Sequence, residues 1–285
     1  MSKIESVGVV GCGLMGSGIA QVVAAAGCNV VVREVDEESL ERGMGAIGRF
    51  LTKGVERGKL SASEREQILG RIEPTILLSE FADVDIVIEA VVEDVQVKKD
   101  VFSELDAVLS DEAIRCSNTS SLCITEMAAA TRRPDRFVGL HFFSPVPLMP
   151  VVEVIPTLMT SPELTESVSE LARRIGKTPI VAPDRPGFIV NRLLVPYLLD
   201  AIRTFEEGVG TRDDIDAGMK LGCGHPMGPL ELLDFVGLDT TYYIANIMYE
   251  EFREKRFAPP PLLRRMVLAG HLGRKSGRGF YDYAE

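Results

Sequence analysis

Cysteine and histidine are scarce in this chain, and their placement argues against two kinds of chemistry. The five cysteines among 285 residues (Cys12, Cys28, Cys116, Cys123 and Cys223) form no CxxC pair and no regular framework. They sit in apolar or strand-like segments, as small core residues do in a reducing compartment. The three histidines, His141, His225 and His271, are too dispersed to form a cluster, so no metal is expected. Basic charge is in deficit too. A formal net charge of −11 argues against a nucleic-acid or anionic-membrane surface, and any anionic ligand has to be met by a local basic patch in a pocket.

A further absence is of charge itself, between Ser6 and Val32. By hydropathy alone the run fits a signal peptide or a membrane span. Six glycines, Gln21 and Asn29 interrupt it, however, and the one upstream cation, Lys3, stands beside Glu5. Helix and strand periods alternate within it, so it reads as the buried βαβ start of a soluble, cytoplasmic protein.

What fills that run is specific. The apolar Val7-Gly8-Val9-Val10 leads into Gly11-Cys12-Gly13-Leu14-Met15-Gly16, then a helical pattern at Ile19, Val22, Val23 and Ala26, a Gly27 stop, and a second strand over 29–34 that ends at Glu34. Gly11 permits the tight turn, Gly13 the approach of a pyrophosphate to the backbone, and Gly16 close helix packing. The backbone through Leu14 and Met15 then opens the helix toward the phosphates. Glu34 is placed to accept hydrogen bonds from the adenosine ribose, which favours NAD, while Arg33 beside it leaves NADP open.

Alternating strand and helix signals continue: helices over 37–58, 63–70, 95–109 and 162–175, and strands over 75–78, 85–92, 113–118, 137–143, 151–155 and 177–182. Ser63 and Glu66 have capping-box spacing. Beyond the Pro/Gly-rich stretch 182–187 the pattern is helical, over 188–207, 211–221, 229–253 and 261–268. The expectation is an α/β protein: a Rossmann-like, doubly wound, mostly parallel sheet in a dinucleotide-binding domain over 1–184, and a second, all-helical domain over 185–285.

Such sheets present ligands at the carboxyl ends of their strands. Ser117-Asn118-Thr119-Ser120-Ser121 follows a strand directly, and its hydroxyls and amide can cap a helix, hold a ligand, or both. His141 lies alone in Gly139-Leu140-His141-Phe142-Phe143, and Glu153 alone in Val151-Val152-Glu153-Val154-Ile155. A buried carboxylate needs a partner, so the two ionisable groups are expected to meet. A His–Glu pair beside a nicotinamide suits oxidation of a secondary alcohol: the imidazole takes the hydroxyl proton as hydride leaves the same carbon, and the carboxylate holds the tautomer. Asn191, near the start of the first C-terminal helix, is a candidate donor to the reacting oxygen.

Together the segments GCGLMGSGIAQ, IVIEAVVEDVQVKK, SNTSSL, GLHFFSPVP, VVEVI, DRPGFIVNRLL, GHPMGPLELLDFVGLD and GRKSGRGFYDY span nearly the whole chain. It resembles the 3-hydroxyacyl-CoA dehydrogenases, most closely their short, stand-alone bacterial members that act on 3-hydroxybutyryl-CoA. That resemblance implies hydride transfer between NAD(H) and C3 of (S)-3-hydroxyacyl-CoA or 3-oxoacyl-CoA esters, as in fatty-acid and butyrate metabolism. It implies His141 as general acid/base, Glu153 as its orienting carboxylate, and Ser120 and Asn191 as partners of substrate and cofactor. Glu93 and Lys98 fall where the family lines its NAD site, Asn118 near the nicotinamide, and Lys53 near the CoA phosphates. A homodimer through the helical domain is implied as well. One departure is visible: the family's usual HFFNP reads with Ser144 in place of asparagine, which bears on substrate positioning. Two other readings remain: a dehydrogenase of a free hydroxy acid or sugar acid on the same fold, in which Lys53 has no CoA to meet, and a non-catalytic, crystallin-like dinucleotide binder.

Overall fold

The computed structural model describes residues 3–283, and the chain divides into two compact units, Met1–Asp184 and Arg185–Glu285. The first runs β1 (Ser6–Val10), α1 (Leu14–Ala25), β2 (Asn29–Arg33), α2 (Glu37–Glu56), α3 (Ala62–Leu69), β3 (Ile72–Thr75), β4 (Ile86–Glu89), α4 (Val95–Asp106), β5 (Ile114–Ser117), α5 (Ile124–Ala128), β6 (Phe137–Phe142), β7 (Val151–Pro156), α6 (Pro162–Arg174) and β8 (Thr178–Val181). The strands form one sheet in the order β3-β2-β1-β4-β5-β6-β7-β8. Every neighbouring pair is parallel except β6 and β7.

Strands covered by helices on both faces need continuous apolar sequence, which is what β1 and β4 supply. Val7, Val9, Ile86 and Ile88 pack with Ile19, Ala20 and Val23 of α1 in a core that also takes Leu164, Val168 and Leu171 of α6. Each fully buried side chain of this kind contributes about 1.5–3 kcal/mol. The uncharged run 6–32 is therefore β1, α1 and most of β2. Among the described residues no helix is long and apolar enough to cross a membrane.

The sheet order reverses beside β1: the chain leaves it toward β2 and β3, then returns to its other side with β4. Such a switch point opens a crevice at the carboxyl ends of the strands, where α/β proteins take up their ligands.

The second unit is helical: α7 (Val190–Glu206), α8 (Arg212–Cys223), α9 (Pro229–Val236), α10 (Leu238–Phe252) and α11 (Pro261–Leu268), around Leu198, Ile202, Leu230, Leu233, Met248 and Phe257. Its last segment has isolated bridges, Gly273 with Arg278 and Arg278 with Asp282. Two buried aspartates pin it. Asp234 accepts the N–H groups of Phe280 (2.9 Å) and Tyr281 (2.8 Å), and Asp216 accepts the Tyr281 hydroxyl (2.8 Å) while also capping α9 through Leu230 and Glu231.

Four expectations are corrected. The strand expected at 75–78 lies earlier, at Ile72–Thr75; a 3-10 turn over Leu78–Phe81 instead buries Phe81, and Pro74 is tolerated because β3 is an edge strand. The capping box is Ser61 with Glu64, whose side chains and backbone exchange bonds of 3.1 and 2.8 Å, while Glu66 turns to Arg65. The spacing fits both pairs, and the one that precedes the first helical turn wins. The single helix over 229–253 is two, broken at Gly237, whose φ of 102° no L-residue adopts without strain. Finally, β2 ends at Arg33, although the Glu34 N–H still reaches the Thr75 carbonyl at 3.2 Å.

Candidate active site

The glycine loop is shaped by contact on one side and space on the other. Gly11 has φ 95°, and a Cβ there would lie 2.6 Å from the Ala90 carbonyl oxygen, while a Cβ at Gly16 would collide with the Gly11 carbonyl. At Gly13, which precedes the first turn of α1, a Cβ would meet nothing within 4 Å. No side chain caps α1, and Leu14 and Met15 open its first turn with Leu14 exposed. Open space before an uncapped helix N-terminus fits a pyrophosphate. Glu34, the residue after β2, turns its carboxylate to the same loop, accepting the Cys12 N–H at 2.6 Å and the Val35 N–H at 3.1 Å. Burial, reinforced by the Glu34 charge, pushes the Cys12 thiol up to about 12, so it is an inert wall rather than a nucleophile. Arg33 donates through Nε to the Ile76 carbonyl at 3.4 Å.

Beside this loop the ends of β4 and β5 carry a charged network. Lys98 of α4 is buried, with Nζ 2.6 Å from Glu89 and 3.3 Å from Glu93. Glu93 Oε1 accepts the hydroxyls of Thr119 (2.6 Å), Ser120 (3.1 Å) and Ser121 (3.3 Å) and the Ser120 N–H (2.8 Å). Burial alone would raise the Glu93 carboxyl, but the Lys98 ammonium and the bonds from Thr119 and Ser120 outweigh it and hold it below its usual value. At Glu89 burial wins, and the carboxyl is pushed up despite Lys98. Glu89 is absent from the residues singled out by sequence. Its signal was the one used for Glu153, a lone carboxylate closing an apolar run, Ile86-Val87-Ile88-Glu89.

Ser120 thus sits in a loop held from both sides. Asn118 accepts the Phe142 N–H at 2.9 Å, which ties the end of β5 to the residue after His141. Asp184, read from sequence only as part of the junction, accepts the N–H groups of Ile124 (3.0 Å) and Thr125 (2.6 Å) and so fixes the start of α5.

His141 and Glu153 stand directly opposite each other in the antiparallel β6–β7 register. Both are buried, and His141 Nδ1 lies 2.7 Å from Glu153 Oε2. A carboxylate at that distance accepts, so Nδ1 carries the proton and Nε2 is the basic nitrogen. The Phe143 ring lies 4.5 Å from the imidazole, tilted against it. Exposed Ser144 follows.

The structure therefore gathers Gly11, Gly13, Gly16, Glu34, Glu93, Lys98, Asn118, Ser120, His141 and Glu153 at the strand ends of one unit. Lys53 lies elsewhere in that unit, on α2, lining a cavity of about 570 Å³ with Phe50, Arg57, Lys59 and Leu148. Asn191 belongs to the second unit, in the first turn of α7. Among the described residues no group of three or more His, Cys, Asp or Glu side chains is arranged to hold a metal ion.

A dinucleotide loop at the switch point of a doubly wound sheet, with a histidine–carboxylate pair two strands beyond the β4 network, defines a dehydrogenase. The 3-hydroxyacyl-CoA dehydrogenase NAD binding domain matches residues 6–185, and the C-terminal domain of the same family matches residues 187–283. A 3-hydroxybutyryl-CoA dehydrogenase of Mycobacterium tuberculosis is 51% identical over 282 residues, covering 98% of this chain and 99% of that one. The human mitochondrial hydroxyacyl-coenzyme A dehydrogenase is 46% identical, over 98% of this chain and 91% of its own. The crystal structure of (S)-3-hydroxybutyryl-CoA dehydrogenase from Ralstonia eutropha superposes with a TM-score of 0.96 at 41% identity, over 99% of this chain and all of the other. The chain belongs to the 3-hydroxyacyl-CoA dehydrogenase family, and NAD is its cofactor.

Proposed function

We propose that this protein interconverts (S)-3-hydroxyacyl-CoA and 3-oxoacyl-CoA esters, with 3-hydroxybutyryl-CoA and acetoacetyl-CoA as its short-chain pair. The observation that carries the reading is the buried His141–Glu153 pair, 2.7 Å apart. Bound NAD supplies the hydride acceptor. His141 Nε2 takes the substrate hydroxyl proton while the C3 hydride departs, and in the reverse direction the imidazolium returns that proton to the carbonyl oxygen. Glu153 holds the Nδ1–H tautomer and offsets the positive charge that the ring gains. Ser120 is held by Glu93 through its N–H, its hydroxyl turns from Glu93 Oε1 to donate to the substrate oxygen, and Asn191 serves as a second donor toward that oxygen. Gly11 to Gly16, Glu34, Glu93, Lys98 and Asn118 hold the dinucleotide.

Lys53 and its neighbours Arg57 and Lys59 supply cationic groups around a largely apolar cavity, which suits the phosphates and adenine of CoA. In an acidic protein such a local basic rim is the feature an anionic substrate needs. The domain roles follow: residues 1–184 bind NAD, and 185–285 contribute Asn191 and the surface of a homodimer, which light scattering tests. Five free thiols fit the reducing cytoplasm.

Charge reversal at Lys53 separates the CoA reading from that of a free hydroxy acid. Lys53→Glu is expected to raise KM for acetoacetyl-CoA about tenfold with kcat nearly kept, and to leave turnover of free acetoacetate unchanged. Equal effects on ester and free acid, or none on the ester, would refute the assignment.

A further inference from the structure

Glu89 is a buried carboxyl, surrounded by hydrogen-bond donors, that the proposed chemistry leaves without a task. Its side chain is fully buried, and each oxygen is engaged: Oε1 accepts Lys98 Nζ (2.6 Å) and the Val91 N–H (2.7 Å), and Oε2 accepts the Ser117 hydroxyl (2.6 Å) from the paired position on β5. Burying an ion pair costs more desolvation than an apolar pair of the same volume, so stability alone does not account for Glu89 and Lys98 at this place. Their arrangement has a directional consequence. Lys98 is shared, 2.6 Å from Glu89 and 3.3 Å from Glu93 Oε2, while Glu93 Oε1 accepts the Thr119 and Ser120 hydroxyls. Without Glu89, the ammonium would turn to Glu93 alone. Burial pushes the Glu89 carboxyl up, but donors on both its oxygens suit a carboxylate, and two carboxylates with one ammonium leave the strand-end cluster with a single net negative charge.

We propose that Glu89 is a positioning residue: by drawing Lys98 toward β4 it fixes Glu93, and through it Ser120, and it gives the cluster the net negative charge that favours the oxidised, positively charged nicotinamide over the reduced, neutral one. The inference rests on the reading of Glu93 and Lys98 as dinucleotide contacts. It needs no new ligand, since the charge acts on the two redox forms of the cofactor already assigned.

The test is equilibrium binding to the substrate-free protein, with NADH followed by its own fluorescence and NAD+ by calorimetry. Glu89→Gln keeps the shape and removes the charge, and is expected to raise the ratio of Kd for NAD+ to Kd for NADH about threefold to tenfold, the effect of one partly screened charge. A structural loosening would weaken both forms alike, so an unchanged ratio overturns the proposal. Glu89→Asp keeps the charge but falls short of Lys98. It is expected to hold the wild-type ratio while kcat drops about tenfold with KM for NADH little changed, and wild-type kinetics in it would overturn the positioning role even if Glu89→Gln does not fold. Glu93→Gln distinguishes the two levels: if it alters neither affinity, the reading of Glu93 as a cofactor contact fails, whereas an effect there with an unchanged ratio in Glu89→Gln refutes the role of Glu89 alone.

Discussion

Replacing Glu153 by glutamine changes one atom type at the centre of the proposed chemistry and little else. The side chain lies in the fully buried run of β7, opposite His141, with the carboxylate 2.7 Å from Nδ1, and the amide fills the same space. What is lost is attraction for the imidazolium that forms as the substrate proton is taken. For charge centres about 4 Å apart at an effective dielectric of about 20, that attraction is about 4 kcal/mol, or roughly three powers of ten in rate. The amide also presents an N–H as readily as an oxygen to Nδ1, which favours the wrong tautomer and acts in the same direction. Glu153→Gln is therefore expected to lower kcat for NAD+-dependent oxidation of (S)-3-hydroxybutyryl-CoA, the direction in which the imidazolium forms, by about 10²–10⁴. NADH affinity, read from fluorescence, should stay within about twofold, because the glycine loop is untouched. The stopped-flow absorbance of NADH measures the rate directly. Turnover within about tenfold of wild type would refute the argument that Glu153 stabilises a charged His141.

Three other outcomes follow from particular contacts. Ser144→Asn, which restores the residue usual in the family at an exposed position after β6, should shift KM across a series of 3-oxoacyl-CoA chain lengths by about twofold to tenfold, the worth of one hydrogen bond; an identical profile would show that this position does not orient substrate. Asp36 caps α2 by accepting the Ser39 N–H at 2.7 Å, and that bond holds its carboxyl below the usual 3.8. A lowered folded pKa gives stability that is full above 3.8 and lost as pH falls through the folded value, so the melting deficit of Asp36→Ala, about 2–4 °C at pH 7, should shrink below about pH 4 in differential scanning calorimetry, and a pH-independent deficit would exclude an ionised cap. Because Glu34 faces the Cys12 N–H and Arg33 is tied to the Ile76 carbonyl, kcat/KM should favour NADH over NADPH, and a clear NADPH preference would contradict the placement of Glu34.

Much of the site was legible because its residues break local patterns. Gly11 and Gly16 stand where a side chain would strike backbone, and His141 and Glu153 are ionisable groups in apolar runs, so each carries its signal in its own neighbourhood. Pairing is less visible. That β7 runs antiparallel to β6 is a property of topology, and only that register sets His141 against Glu153. Glu89 was hidden for a related reason: its meaning lies in Lys98, nine positions away on a helix, and in Ser117 on the neighbouring strand. Asp184 looks like linker until the start of α5 shows the N–H groups it accepts, and Asp216 and Asp234 look like helix-surface acids until the C-terminal segment folds onto them. Boundaries shifted where two equivalent local signals competed, as with Ser61 and Ser63, or where one glycine, Gly237, outweighed a long amphipathic pattern.

The central claim is that His141 exchanges a proton with the C3 oxygen of the acyl-CoA during hydride transfer. Single-turnover reduction of acetoacetyl-CoA by the NADH-loaded protein, compared between wild type and His141→Gln, tests it most directly. The account predicts reduction of acetoacetyl-CoA to (S)-3-hydroxybutyryl-CoA, with NADH oxidised to NAD+, by wild type and a loss of about 10³ or more in the variant, with NADH still bound. No turnover by wild type with NADH bound, or a variant as fast as wild type, would contradict it.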